Sequence, residues 1–152
     1  YELTAGNLKL KPSGLNPILT SSGVKNVVIE AAGYSITSVS QIINAGFETK
    51  FGIKTQPVAP ISNGNVLATQ PAIYIQDQYG NTTTSSASVT ASVASGTWTI
   101  GGNTSINASA GTATFSGLTA TSISEVLDAS ILFSSGSPSL AFRLFIVMTL
   151  CS

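Results

Sequence analysis

The chain has 152 residues, six of them basic and six acidic, so its formal net charge is zero. Charged residues make up only 8% of it and apolar residues 43%, which excludes a disordered tail and leaves hydroxyls and amides to solvate the surface. No electrostatic footprint for nucleic acid or an anionic membrane exists, and with no His and one Cys (Cys151) neither an internal disulfide nor a Cys/His zinc site can be built.

Period two, not the 3.6-residue helical repeat, runs through the chain. In "VKNVVIEAA", Val27, Ile29 and Ala31 share one face, and Val28 and Glu30 the other. "PAIYIQD" puts Ile73 and Ile75 on one side. "SVTASVAS" alternates Val89, Ala91 and Val93 with Ser88, Thr90 and Ser92. "GTATFSG" alternates Ala113 and Phe115 with Thr112, Thr114 and Ser116, and "VLDASILF" groups Leu127, Ala129, Ile131 and Phe133. Threonine is β-branched and suits a pleated surface, so the polar faces also favour strand. Turn signals such as "PSG", "NAG", "SNGN", "YGN", "GGN" and "SSGSP" separate the runs. Many short strands with this punctuation predict an all-β, mainly antiparallel, immunoglobulin-like sandwich.

Five of the six basic residues precede Gln56, and "FGIKTQPVAPISNG", from Phe51, carries two prolines and reads as a seam. Residues 1–50 are therefore expected to be a partial small β-module, too small to bury much surface alone. Residues 51–152 have the size of one immunoglobulin-like sandwich. Tyr1-Glu2-Leu3 reads as the middle of something, either after removal of a leader or within a longer chain. No run reaches the roughly 18 apolar residues of a membrane helix, so no membrane insertion is expected. Low charge and abundant hydroxyls point outside the cell, to a cell surface.

Few residues offer chemistry. Asp77 and Asn81 flank Gly80 in "QDQYGNTTT". The bland reading is a tight turn, and the sharper one is a share in a calcium site, which needs more carboxylates than this stretch supplies. Glu125 and Asp128 are the close carboxylate pair of the second half, but in a strand residues three apart face opposite sides. They read as solvated charges rather than a glycosidase pair. With no His beside any Ser, and Lys50 and Lys54 in the seam, no nucleophile is activated, so neither enzyme activity nor a cofactor is expected. Trp98, the sole Trp, is either a core anchor or an exposed platform for a sugar ring. Sequons at Asn81, Asn103 and Asn107 are what chance gives in a chain this rich in Ser, Thr and Asn.

The last stretch, "SLAFRLFIVMTLCS", is apolar on both alternations. Leu140, Phe142, Leu144, Ile146 and Met148 form one face, while Phe145 and Val147 make the other apolar too. Such a strand needs cover on both sides, since an uncovered one templates aggregation. Burying four such side chains contributes on the order of 6–12 kcal/mol before entropy. Two arrangements satisfy this. In one, the tail closes its own sandwich and packs its second face on the N-terminal module. In the other, it completes the N-terminal module of a neighbouring copy by strand addition, which gives an open head-to-tail filament. Leu140, Phe142, Leu144, Phe145, Ile146, Val147 and Met148 are accordingly the candidate assembly residues.

Two stretches resemble known families. From about Phe51 to Phe133, "QDQYGN", "SVTASVASG" and "GTATFSGLTA" resemble the immunoglobulin-like repeats of very large bacterial cell-surface adhesins, especially the gliding-type adhesins of Bacteroidetes. Tyr1, "NLKL" and "VVIEAAGY" through Tyr34 resemble the later half of the haemoglobin-interacting β-module of exported Gram-positive proteins, without its opening strands. Haem binding does not carry over, because that segment has neither His nor Cys. The resemblances imply a non-enzymatic extracellular stalk or adhesion repeat. Its partners would be adjacent modules or neighbouring copies, with a glycan or host surface as a further one.

Overall fold

The computed structural model describes residues 2–4, 7–9, 20–30, 32–33, 35–135 and 144–150. Tyr1, Ala31, Tyr34, Leu140, Phe142 and Cys151, all singled out above, lie outside the described residues. The chain divides into two compact units, Tyr1–Ala45 and Gly46–Ser152. It is all-β, and every described strand pair is antiparallel.

In the first unit, β1 (Glu2–Thr4) pairs with β2 (Asn7–Lys9), and β3 (Gly23–Ile29) pairs with β4 (Thr37–Ile43). The second hairpin runs in unbroken register from Gly23 opposite Ile43 to Ile29 opposite Thr37. None of the described side chains of this unit is buried. Val24 and Ile42 stand opposite each other, yet are 65% and 62% exposed.

The second unit contains nine described strands: β5 (Lys50–Thr55), β6 (Ala72–Gln76), β7 (Ser88–Ser95), β8 (Thr99–Gly101), β9 (Ser105–Asn107), β10 (Thr112–Thr114), β11 (Thr119–Thr121), β12 (Val126–Ser135) and β13 (Leu144–Leu150). One sheet has the order β10-β6-β5, the other β13-β12-β7-β9, and β11 pairs with β8 in a small third sheet. If β5, β6, β7, β10, β12 and β13 are lettered A, B, C, E, F and G, the orders become E-B-A and G-F-C, with β9 beside C. That is the immunoglobulin strand order.

The core lies between these sheets. Phe51, Ile73, Ile75, Ala113 and Phe115 come from one side, and Val89, Ala91, Ala129, Ile131 and Phe133 from the other. Phe115 and Phe133 meet at its centre in a tilted pair, with ring centroids 5.3 Å apart.

Two expectations need correction. Phe51–Thr55, read as seam, is the body of β5. Phe51 stands opposite Ile75 and Ile53 opposite Ile73, so these residues belong to the sandwich, whose compact unit starts at Gly46. The second correction concerns β12. Alternation groups Leu127 with Ala129, Ile131 and Phe133, but it is 70% exposed, and Val126 is buried instead. A register shift between Val126 and Ala129 is the cause: the extra residue of a bulge breaks strict alternation.

Candidate functional site

The direction of the backbone through the second unit follows from its pairings. Lys50, at the start of β5, stands opposite Gln76 at the end of β6. After the turn at Asp77–Asn81 the chain runs back along β6, with Thr82 bridged to Gln76 and the Thr83 N–H donating to the Ile75 carbonyl at 2.9 Å. β7 therefore runs opposite to β6 and parallel to β5. β12 is antiparallel to β7, and β13 to β12. The chain thus enters this unit at the pole carrying the Asp77 turn, and β13 ends, at Leu150 opposite Val126, at the other pole.

The first pole is organised by Asp77, which is only 2% exposed. Its Oδ1 accepts from the Tyr79 N–H and the Asn81 N–H, both at 2.9 Å. Its Oδ2 accepts from the Asn81 amide at 2.8 Å and from the Gly46 N–H at 2.9 Å. The turn closes with the Gly80 N–H on the Asp77 carbonyl at 3.1 Å, and Gly80 has φ of 91°, a value that favours glycine. Gln76 crosses over β5 to donate to the Gly80 carbonyl at 2.8 Å. Its amide fills the space where a side chain on Gly52 would stand, 2.5 Å from the Cβ position. Burial pushes the Asp77 carboxyl up, but the donors from Asn81, Gly46 and Tyr79 outweigh it and hold the group below its ordinary value of 3.8. Four N–H donors converge on the two oxygens, which turns the carboxylate into the turn and away from any share in a calcium site. No group of three His, Cys, Asp or Glu gathers anywhere among the described residues.

At the second pole, side-chain amides stand in for missing backbone. Asn63 accepts from the Ser122 N–H at 2.9 Å and donates to its carbonyl at 2.5 Å, as a paired strand residue would. Gln70 accepts from the Leu118 N–H at 2.9 Å and donates to the carbonyls of Leu67 and Leu118. Beside these ties lies an open groove of about 440 Å³, with Ile61, Val66, Ala68 and Thr119 among its lining. A second depression, of about 360 Å³, is lined by Gly96, Thr97 and the first turn of β12, and both Glu125 and Asp128 border it. The alternation rule would put these carboxylates on opposite faces. Val126 and Leu127, which lie between them, line the same depression.

Trp98 is buried at 7% exposure, its indole N–H donating to the Ser95 carbonyl at 2.7 Å. It is a core anchor, and it offers no ring face for a sugar to stack on. Asn81, the first sequon residue, spends its amide on Asp77. Of the candidate assembly residues, Leu144, Phe145, Ile146, Val147 and Met148 lie in β13, where they stand opposite Phe133, Leu132, Ile131, Ser130 and Ala129 of the same chain.

The second unit is thus an antiparallel sandwich with its chain entering and leaving at opposite poles. No family model matches the chain, and neither a curated protein nor a solved structure matches it.

Proposed function

We propose that the chain is a non-enzymatic, extracellular structural module of a bacterial surface protein, a spacer or adhesion repeat set in line with others. The observation that carries this reading is the strand polarity. A module entered at one pole and left at the other extends an array by its own length. Tension applied through Gly46 and Leu150 would pull β5 and β13 along their own axes. Each is held laterally by one antiparallel neighbour, β6 or β12, so the ladder bonds are sheared together rather than opened one by one. The near-absence of charge suits a surface that must sit beside copies of itself without mutual repulsion. Single-molecule pulling between handles at the two chain ends tests it. The expected result is one discrete rupture for the second unit, releasing roughly 350 Å of chain at about 3.5 Å per residue. Gradual lengthening without a discrete event would overturn the reading.

A second reading, association of copies through strands, is favoured by the β3–β4 hairpin. Val24, Val28, Ile36, Val39 and Ile42 are all exposed there. β13 is already paired with β12, so exchange into a neighbour requires that pair to open first. Deletion of Leu144–Ser152 separates the readings. A folded monomer that has lost the ability to polymerise supports exchange, and an unfolded second unit supports the internal strand.

A further inference from the structure

We infer that Asp77 is a latch that keeps Gly46–Glu48 inside the folded second unit, so that this segment is released as extra connector when the latch opens. The inference rests on the in-line reading only for its mechanical meaning. The geometry stands without it.

Three of the four donors on Asp77 are local to its own turn, from Tyr79 and Asn81. The fourth, the Gly46 N–H, comes from 31 residues earlier and is the first residue of the unit. Between Gly46 and β5 the backbone is held once more, by the Thr49 N–H on the Gln76 carbonyl at 2.7 Å. The segment carries no core side chain to hold it otherwise. Phe47, its one large apolar residue, is 96% exposed. What keeps these residues folded is thus polar, and its strongest element is a charge-assisted bond to a buried carboxylate. Pulling from the N-terminal side loads that bond before any bond of the β5–β6 ladder. Its rupture frees Gly46–Glu48, roughly 10 Å of chain at full extension, while the Thr49 bond, β5 and the core stay in place. The turn positions the carboxylate through Asn81 and Gly80, so the latch is built by the same "QDQYGN" stretch that closes β6.

The charged groups beside Asp77 are few. From β5 comes Lys50, whose ammonium donates to the Gln78 carbonyl at 3.2 Å, and the leading segment carries Glu48. Tyr79 adds a phenol on the turn itself. With the folded-state pKa of Asp77 below 3.8, the latch is complete above that value and is lost as pH falls through the lower one. It stays closed at neutral pH, and acid serves as a probe.

Amide hydrogen exchange on the full chain tests the latch. In the unaltered protein the Gly46, Tyr79 and Asn81 amides are expected to share one protection level at pH 7. As pH falls below 3.8 and through the lower folded-state value they should lose it, after correction for intrinsic rate, before the core amide of Ala91 does. In Asp77→Asn, an amide group replaces the oxygen facing Gly46, and the Gly46 amide should exchange about ten- to a hundredfold faster with Ala91 unchanged. Chymotrypsin cleavage after the exposed Phe47 should accelerate in parallel. Gly46 unprotected at pH 7 while Tyr79 and Asn81 are protected would overturn the latch, as would Gly46 protection that survives in a folded Asp77→Asn chain. If that variant does not fold, the acid series on the unaltered protein decides alone. Failure here leaves strand polarity and the pulling result untouched, so the two readings fall separately.

Discussion

The strands β3 and β6 are written in the same alphabet and meet opposite fates. "GVKNVVI" and "AIYIQ" both alternate, and both pair antiparallel with a neighbour. In β6 three of five residues are buried, whereas in β3 none of seven is. The difference is the second layer. β6 faces β7 and β12 across the sandwich, and its Ile73 and Ile75 share one core with Ile131 and Phe133. The described part of the first unit supplies no opposing sheet. Alternation therefore specifies that a segment is a strand, and only a facing sheet converts it into stability.

Truncating a core side chain tests that contrast most strongly. Phe133→Ala removes the partner of Phe115 at the centre of the core and should cost about 3–5 kcal/mol of the second unit's stability. Val28→Ala, in a strand with similar spelling but 55% exposed, should stay within about 0.5 kcal/mol. Chemical denaturation of both variants gives the two numbers on one scale. A comparable loss for Val28 would mean that the β3–β4 hairpin has a covering partner in solution.

The fold was largely legible because its signals are local. Ile73/Ile75, Val89/Ala91 and Ala113/Phe115 all alternate cleanly, and all six are buried. Asp77–Gly80 was legible as a turn because a glycine follows a short polar stretch between two apolar runs. What the Asp77 carboxylate holds was not legible, since its partner Gly46 is 31 residues away and contributes only a backbone N–H, which any residue but proline carries. The amide ties of Asn63 and Gln70 were hidden for the same reason, with backbone partners 59 and 48 residues off. Phe51–Thr55 was misread because the prolines that follow it outweighed its own alternation. In the first unit the pattern promised faces, and it is silent on what covers them.

The start of β12 gives the smallest of these differences and the sharpest use of the comparison, because neighbouring residues trade roles there. Strict alternation would bury Leu127 along with Ala129, Ile131 and Phe133. The bulge buries Val126 in its place and leaves Leu127 at 70% exposure. Val126→Ala deletes two methyl groups from the core side and should cost about 1.5 kcal/mol. Leu127→Ala deletes a larger side chain and should cost less, within about 0.5 kcal/mol. The larger deletion having the smaller effect runs against side-chain size and follows only from backbone register. A reversed order in the denaturation midpoints would mean that β12 pairs with β13 without the bulge.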